Sequence, residues 1–143
     1  MNKLKVYFAC SIRGGRDQSS SYEQLIDYIK ERAIVLSEIF ADQKLTAEGM
    51  NKPNYDIWKT DMDWVSEADV LIAEVSQPSL GVGYEIAKAE EMEKPILCLY
   101  RNQEGSKLSA MIEGSPNVEL FCYDSVSETK QVIENFLESN ATI

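Results

Sequence analysis

The sequence predicts an α/β protein, with a doubly wound, five-stranded parallel sheet of flavodoxin-like or Rossmann-like type flanked by helices. The first observation is that short apolar runs alternate with segments of helical periodicity along all 143 residues. The second is that no repeat, low-complexity segment or linker divides the chain. The third is a length typical of one domain with its own core. We therefore expect a single domain over residues 1–143.

The first half of the chain combines two apolar runs with two helical patterns. Serines at 19–21 precede the first apolar stripe, and any of them can cap a helix there. Gly49 and Pro53 argue against a continuous helix in the segment that follows the second run. The predicted elements are a strand at 4–9, a helix after 21, a short strand at 33–36, an irregular segment at 37–54 and a helix at 55–68.

The second half of the chain repeats the alternation with clearer punctuation. Pro95 ends one helical pattern, and Gly114 and Pro116 end a short apolar stretch. The predicted elements are a strand at 69–75, a helix at 82–93, a strand at 96–100, a short apolar stretch at 108–112, a strand at 118–123 and a closing helix at 126–137.

Composition limits the classes of function. The net charge of −10 argues against a general nucleic-acid binder, which needs a basic surface. Residues 1–16 nevertheless carry four basic residues and no acidic one, a distribution suited to a small anion or produced by chance on a solvated surface. The four are Lys3, Lys5, Arg13 and Arg16.

Several other classes of protein have no support in the sequence. No apolar run approaches the roughly 20 residues that span a bilayer. Strand-like sequence begins at the N-terminus and leaves no room for a signal peptide, so we expect a soluble, cytoplasmic protein. The chain has no histidine, which excludes His-based triads and His-ligated zinc. Cys10, Cys98 and Cys122 lack metal-ligand spacing and are expected to be small core residues.

The strongest functional signal follows the predicted strand at 69–75. The stretch Ser79-Leu80-Gly81-Val82-Gly83-Tyr84-Glu85 offers a carboxylate where two glycines keep the backbone open. Open α/β sheets bind ligands beyond the carboxyl ends of their strands. Glu85 is therefore the leading catalytic candidate, and a helix-start acid stabilised by the helix dipole is the alternative.

A second signal follows the first strand. The loop Cys10-Ser11-Ile12-Arg13-Gly14-Gly15-Arg16 combines glycines, a hydroxyl and arginines, which together suit phosphate oxygens. It is neither a Walker loop nor a GxGxxG fingerprint. The alternative is a flexible surface loop with incidental arginines. A carboxylate beside a bound sugar phosphate indicates glycosidic chemistry, in which it acts as nucleophile or stabilises an oxocarbenium-like transition state.

Other polar and aromatic residues have simpler explanations. Asp61 and Asp63 lie two positions apart on a predicted helix, so at most one can point into a site. Glu74 is expected to be a turn-forming or exposed acid at the end of a strand. Tyr7 is expected to be buried in the core, and Trp58, like Trp64, to pack helix against sheet.

Longer strings of sequence indicate a family. The segments are Val6-Tyr7-Phe8, Ser11-Ile12-Arg13-Gly14-Gly15-Arg16, Asp61-Met62-Asp63-Trp64, Ala68-Asp69-Val70, Ala73-Glu74-Val75, Gln77-Pro78-Ser79-Leu80-Gly81-Val82-Gly83-Tyr84-Glu85, Ile96-Leu97-Cys98-Leu99 and Leu108-Ser109-Ala110-Met111-Ile112. In this order they closely resemble the 2′-deoxynucleoside 5′-phosphate N-hydrolases of the nucleoside 2-deoxyribosyltransferase superfamily. The resemblance extends over nearly the whole chain.

The resemblance implies roles for particular residues. Glu85 would be the nucleophile that forms a deoxyribosyl-enzyme ester, Asp61 the acid near the leaving base and Tyr7 a neighbour of sugar and nucleophile. Water would release 2-deoxyribose 5-phosphate, and no metal or organic cofactor is implied. The implied substrate-binding residues are Ser11, Ile12, Arg13, Gly14, Gly15, Arg16, Ser79 and Gly81, with Ser109 and Met111 reaching the neighbouring site of a homodimer.

Three alternatives stay open at this point. They are a deoxyribosyltransferase, a hydrolase of ribonucleotides such as CMP, and a non-catalytic nucleotide-binding module. The charge of the loop at 11–16 favours a substrate with a 5′-phosphate over a nucleoside. The chain reads Leu36-Ser37-Glu38-Ile39 where members of the family tend to carry Thr-Glu-His, so the preferred base is open.

Overall fold

The computed structural model describes residues 3–12, 19–38 and 52–141. Five parallel strands form one sheet in the order β2-β1-β3-β4-β5, which is the doubly wound, flavodoxin-like order and confirms the predicted fold class. The strands are β1 (Lys5–Ala9), β2 (Ile34–Val35), β3 (Val70–Glu74), β4 (Ile96–Arg101) and β5 (Val118–Tyr123). The helices are α1 (Ser19–Lys30), α2 (Asn54–Glu67), α3 (Leu80–Glu91), α4 (Ala110–Glu113) and α5 (Thr129–Asn140), the last after a 3-10 turn at Val126–Glu128.

The two faces of the sheet are covered by different helices. β1 and β3 lie at its centre, and all five residues of β3 are buried. Tyr7 of β1 points toward α2 and α3, whereas Phe8 points the other way and meets Tyr22 of α1 edge to face at 6.3 Å between ring centroids. Successive strands are added to one side of β1 up to β2 and to its other side from β3 onward, so the fold opens a crevice at the carboxyl ends of β1 and β3.

Two local interactions explain boundaries that the sequence placed differently. The hydroxyl of Ser79 accepts the backbone N–H of Val82 at 3.3 Å and caps α3, which therefore begins at Leu80. Gly81 and Gly83 consequently lie inside the first turns of α3 and not in a turn before it. β2 has only two residues, and the buried Ser37 continues its pairing by bonding the N–H and C=O of Phe8, both at 2.8 Å.

Two predictions about packing are wrong. Trp58 is 46% exposed, and its indole N–H donates to the Tyr84 hydroxyl at 3.2 Å instead of packing on the sheet. The buried residue of α2 is Val65, which lies about two helical turns after Trp58. Cys122 is exposed because β5 lies at the edge of the sheet with alternate residues outward. Trp64 does pack against the core, and Cys10 and Cys98 are buried as expected.

Two features are absent from the described ranges, namely a membrane-spanning helix and a cluster of metal-binding side chains. No helix there has the length and apolar character needed to cross a membrane. No cluster of three or more His, Cys, Asp or Glu side chains suited to a metal ion occurs in the same ranges.

Candidate active site

Glu85 lies on the inner face of α3 and is only 9% exposed. This face also carries Val82, Ile86 and Ala89, whose burial turns the carboxyl toward the sheet. Tyr7, fully buried at the centre of β1, donates its hydroxyl to Oε2 of Glu85. The predicted carboxylate and the predicted core tyrosine therefore form one buried pair at the β1–β3 crevice.

Asp61 of α2 completes the cluster from the other side. Its carboxyl is coupled electrostatically to that of Glu85, and two carboxyls can hydrogen-bond to each other only when one of them carries a proton. Its Oδ1 is buried and accepts no N–H or O–H bond from the described residues. Asp63 points outward and forms an exposed ion pair with Lys59 at 2.7 Å. The prediction that these two acids lie on different faces of the helix is confirmed.

Burial controls the ionisation of this cluster. Loss of solvation raises the pKa of Glu85 to about 8; the Tyr7 hydrogen bond opposes that shift, and the nearby charge of Asp61 adds to it. Loss of solvation also raises the pKa of Asp61 to about 6. Burial, followed by the charge of Glu85, raises the pKa of Tyr7 well above its ordinary value, so the phenol keeps its proton. Near neutral pH the two carboxyls together hold one proton.

One proton on two facing carboxyls is the arrangement that glycosidic cleavage requires. One group must be ionised to attack or stabilise the sugar, and the other must be protonated to assist the leaving group. The two carboxyls titrate as a coupled pair, so the first proton taken up belongs to both groups. A shift of that proton between the two carboxyls leaves Glu85 ionised and Asp61 protonated.

The predicted anion loop is described only at its beginning. Ser11 lies two residues after the end of β1 and is fully buried, and Ile12 packs against the core. Arg13, Gly14, Gly15 and Arg16 lie outside the described residues. The two described residues place the start of the loop at the carboxyl end of β1, the same end of the crevice as the N-terminus of α3.

The N-terminus of α3 is open to a ligand. Gly81 is exposed, and a Cβ there would meet only the Ser79 hydroxyl at 3.9 Å. A Cβ at Gly83 would meet nothing within 4 Å. Neither glycine is therefore required by packing within the described chain. The free N–H groups and the positive end of the helix dipole favour an anion at this position.

Ser109 and Met111 lie apart from the carboxyl cluster. Ser109 caps α4, its hydroxyl accepting the N–H of Met111 at 3.2 Å. Both line an open groove of about 1270 Å³ between α4 and α3, together with Ser79 and Leu80. Leu80 is 97% and Met111 82% exposed. Glu85 is absent from this lining, as are the other two members of the cluster.

A second buried carboxyl was missed by the sequence argument. Glu74, expected at a turn or on the surface, is 1% exposed at the end of β3. It accepts hydrogen bonds from the Tyr123 hydroxyl and from the N–H and hydroxyl of Ser76. Its position at the end of an entirely apolar strand was the available signal, because a central parallel strand is buried along its whole length.

The chain belongs to the nucleoside 2-deoxyribosyltransferase family, whose family model matches residues 6–136. The family prediction is thereby confirmed.

Several individual proteins are similar to this chain. The 5-hydroxymethyl-dUMP N-hydrolase of Tetraodon nigroviridis is 42% identical over 143 residues, covering 95% of this chain and 99% of that protein. The human 5-hydroxymethyl-dUMP N-hydrolase is 39% identical, covering 94% of this chain and 80% of that protein. The solved structure of a CMP N-glycosidase from Clostridium botulinum shares the fold, with a TM-score of 0.68 at 24% identity over 92% of this chain and 98% of that one.

Proposed function

We propose that this protein hydrolyses the N-glycosidic bond of 2′-deoxynucleoside 5′-monophosphates, releasing the free base and 2-deoxyribose 5-phosphate. The observation that carries the proposal is the buried contact of Glu85 with Asp61 and Tyr7 at the switch point of the sheet. The activity agrees with that named for the relatives at about 40% identity.

The first step forms a covalent intermediate. The ionised Glu85 carboxylate attacks C1′ of the deoxyribose while the bond between C1′ and the base nitrogen breaks. Asp61 donates the shared proton to the departing base. The Tyr7 hydroxyl keeps Glu85 oriented toward the sugar and leaves one carboxylate oxygen for attack.

The second step hydrolyses the deoxyribosyl-Glu85 ester. Asp61, now ionised, removes a proton from water as the water attacks C1′. The ester bond breaks, Glu85 departs as a carboxylate, and the proton remains on Asp61. Both residues return to their initial state, and the proposed sequence uses no metal or organic cofactor.

The 5′-phosphate is assigned to the N-terminus of α3 and the loop after β1. Ser79 and Gly81 stand at the positive end of α3, and Ser11 and Ile12 lead into the basic segment at 13–16. Arg13 and Arg16 are proposed to bind phosphate oxygens with their guanidinium groups, with Gly14 and Gly15 supplying backbone N–H groups.

The active assembly is proposed to be a homodimer. The groove beside α3 exposes Leu80 and Met111, two large apolar side chains that water would otherwise surround. Ser109 lies outside the carboxyl cluster of its own chain, so it is assigned to the phosphate site of the partner. A cytoplasmic location is proposed, where nucleoside monophosphates are available.

The substrate is best identified with a panel of 5′-monophosphates. 5-Hydroxymethyl-dUMP, the four common deoxynucleotides, CMP and the matching nucleosides are incubated with and without an acceptor base, and the products are separated by chromatography. Release of base from deoxynucleotides but not from nucleosides is expected. Transfer to the acceptor would identify a transferase, base release from CMP alone would identify a ribonucleotide hydrolase, and absence of any reaction would overturn the proposal.

The shared site is tested by mixing two inactive variants. Subunits carrying Ser109→Ala are combined with subunits carrying Glu85→Gln, because a mixed dimer then holds one site with both native residues. We expect the mixture to recover up to about half of the wild-type rate per mixed dimer. Each variant alone is the control. Failure of mixed dimers to regain activity would place Ser109 in the site of its own chain or outside any site.

A further inference from the structure

Resting on the proposed function, we propose that Glu74 is a positioning residue that holds the two phosphate-binding segments in place through Ser76. Glu74 is the last residue of the central strand β3 and is almost fully buried. Its Oε1 accepts the Ser76 backbone N–H at 2.7 Å, and its Oε2 accepts the Ser76 hydroxyl at 2.9 Å. Both bonds fix the first turn after the strand.

The same network reaches β4 and β5, which follow β3 on one side of the sheet. The Tyr123 hydroxyl, at the end of β5, also donates to Oε2 of Glu74. The Ser76 hydroxyl accepts the backbone N–H of Arg101 at 2.7 Å, at the end of β4. One carboxylate thus connects the carboxyl ends of three neighbouring strands at the edge of the sheet where the proposed site opens.

Ser76 and Arg101 each precede, along the chain, a residue that is proposed to bind phosphate. Ser79 lies three positions after Ser76 and caps α3. Ser109 caps α4 at the end of the segment that leaves β4 after Arg101. Displacement of Ser76 therefore alters the position of Ser79 directly and that of Ser109 through the start of its segment.

The chemistry of the network favours positioning over general stabilisation. Burying a carboxylate is costly, and an apolar side chain of similar volume stabilises a core at least as well. A carboxylate offers something that an apolar side chain lacks, namely several directional acceptors at fixed positions. The carboxylate of Glu74 accepts hydrogen bonds from one backbone N–H and two hydroxyls, which belong to the turn after β3 and to the end of β5.

The test compares Ser76→Ala with Ser76→Thr. The alanine loses the hydroxyl that joins Glu74 to β4, whereas threonine keeps it. For Ser76→Ala we expect the KM for a deoxynucleoside monophosphate to rise about tenfold, with kcat changed by less than about threefold. The inhibition constant of inorganic phosphate, used as a competitive inhibitor, should rise by a similar factor. Ser76→Thr should restore both constants to near wild-type values.

Thr129→Ala is the matched control for a lost buried hydroxyl. Thr129 is fully buried in α5 and donates to the Val126 carbonyl at 2.7 Å. Its removal should lower the melting temperature without changing KM. Glu74→Gln should reproduce the KM effect of Ser76→Ala, and Tyr123→Phe, which keeps the ring, serves the same purpose if the glutamine variant does not fold.

Three results would overturn the inference. The first is a wild-type KM and a wild-type phosphate inhibition constant in both Ser76→Ala and Tyr123→Phe. The second is a loss confined to kcat in Ser76→Ala, and the third is the same rise in KM in Thr129→Ala. If the wild-type protein binds deoxynucleotide by calorimetry but releases no base, the proposed hydrolysis fails while dissociation constants still test the role of Glu74.

Discussion

Two buried glutamates stand at the same edge of the sheet, and their surroundings differ in one respect. Glu74 is surrounded by donors, with a tyrosine hydroxyl, a serine hydroxyl and a backbone N–H all pointing at it. Glu85 also receives a tyrosine hydroxyl, but its other neighbour is a second carboxyl, that of Asp61. The donors around Glu74 satisfy its carboxylate, whereas Glu85 shares a proton with Asp61.

The difference agrees with the proposed roles, a positioning role for Glu74 and a reactive one for Glu85. Burial raises the pKa of Glu74, but hydrogen bonds from Tyr123 and Ser76 favour its charged form and oppose that shift. At Glu85 the neighbouring Asp61 adds to the effect of burial, and the pKa reaches about 8. A carboxyl that changes protonation near neutral pH can take part in proton transfer and attack. A carboxylate that accepts several hydrogen bonds, as that of Glu74 does, fixes the positions of its donors instead.

The largest expected effect comes from Glu85→Gln. The amide can still accept the Tyr7 hydroxyl and donate to Asp61, so the fold and nucleotide binding should persist. Without a nucleophile the rate of base release should fall by about 10³-fold or more. Glu74→Gln is the matched change at the other glutamate and should leave kcat within about threefold. Comparable kcat losses at both positions would remove the distinction between the two glutamates.

The next largest effect is expected for Asp61→Asn. Loss of the proton donor should lower kcat about 10²-fold, and less for substrates whose base leaves readily. The wild-type profile of kcat/KM against pH should be bell-shaped, with limbs near the pKa values of about 6 and about 8. The variant should retain only the rise with pH, because Glu85 alone then titrates. A bell that survives in Asp61→Asn would assign the second limb to another group.

A smaller effect is expected on stability. Burial raises the pKa of both Glu85 and Asp61, so the folded protein binds more protons than the unfolded chain between their ordinary and raised pKa values. This contribution is complete below the unfolded pKa values and is lost as pH rises through about 6 and about 8. Between pH 5 and pH 9 the free energy of unfolding of the wild type should therefore fall by about 2–4 kcal/mol relative to that of Glu85→Gln, whose side chain does not titrate.

Denaturant unfolding at several pH values measures this difference. Tyr123→Phe, which removes a bond from the other glutamate, is the reference variant. Parallel curves for wild type and Glu85→Gln across the range would show that the cluster does not share a proton near neutral pH.

The smallest effect is expected at Gly81. Alanine fits there and favours helix, so Gly81→Ala should stabilise the protein by up to about 1 kcal/mol. If phosphate approaches the backbone of α3 at this point, the same change should raise KM about threefold. Gly83→Ala is the control, since it also meets no neighbour. Equal KM values in both variants would move the phosphate away from Gly81.

Much of the fold follows from local pattern. The strand at Val118–Tyr123 has the predicted bounds because Pro116 and the polar residues after Tyr123 enclose an apolar run. The start of α3 was misplaced because glycines suggest a turn, whereas the Ser79 cap starts the helix earlier. Trp58 was misplaced because helical spacing alone does not show which aromatic side chain faces a neighbouring helix.

The candidate site was only partly accessible to the same reasoning. Glu85 and the start of the anion loop were identified because each follows a strand of an open parallel sheet. Asp61 was selected through family resemblance, since spacing alone showed only that it and Asp63 face different ways. The Glu74 network was missed because two of its hydrogen bonds join residues 25 and 49 positions apart in the chain.

By itself, the sequence determined the parallel α/β fold, the family and the candidate residues for glycosidic chemistry. Apolar periodicity is local, and the motif strings are long enough to be specific. The tertiary structure alone decided which of these residues touch. It joined Tyr7 to Glu85 across 78 positions of chain, and it gave the two buried glutamates different neighbours. Protonation depends on burial and on such distant partners, so the reactivity of a carboxyl is set by packing and not by its place in the sequence.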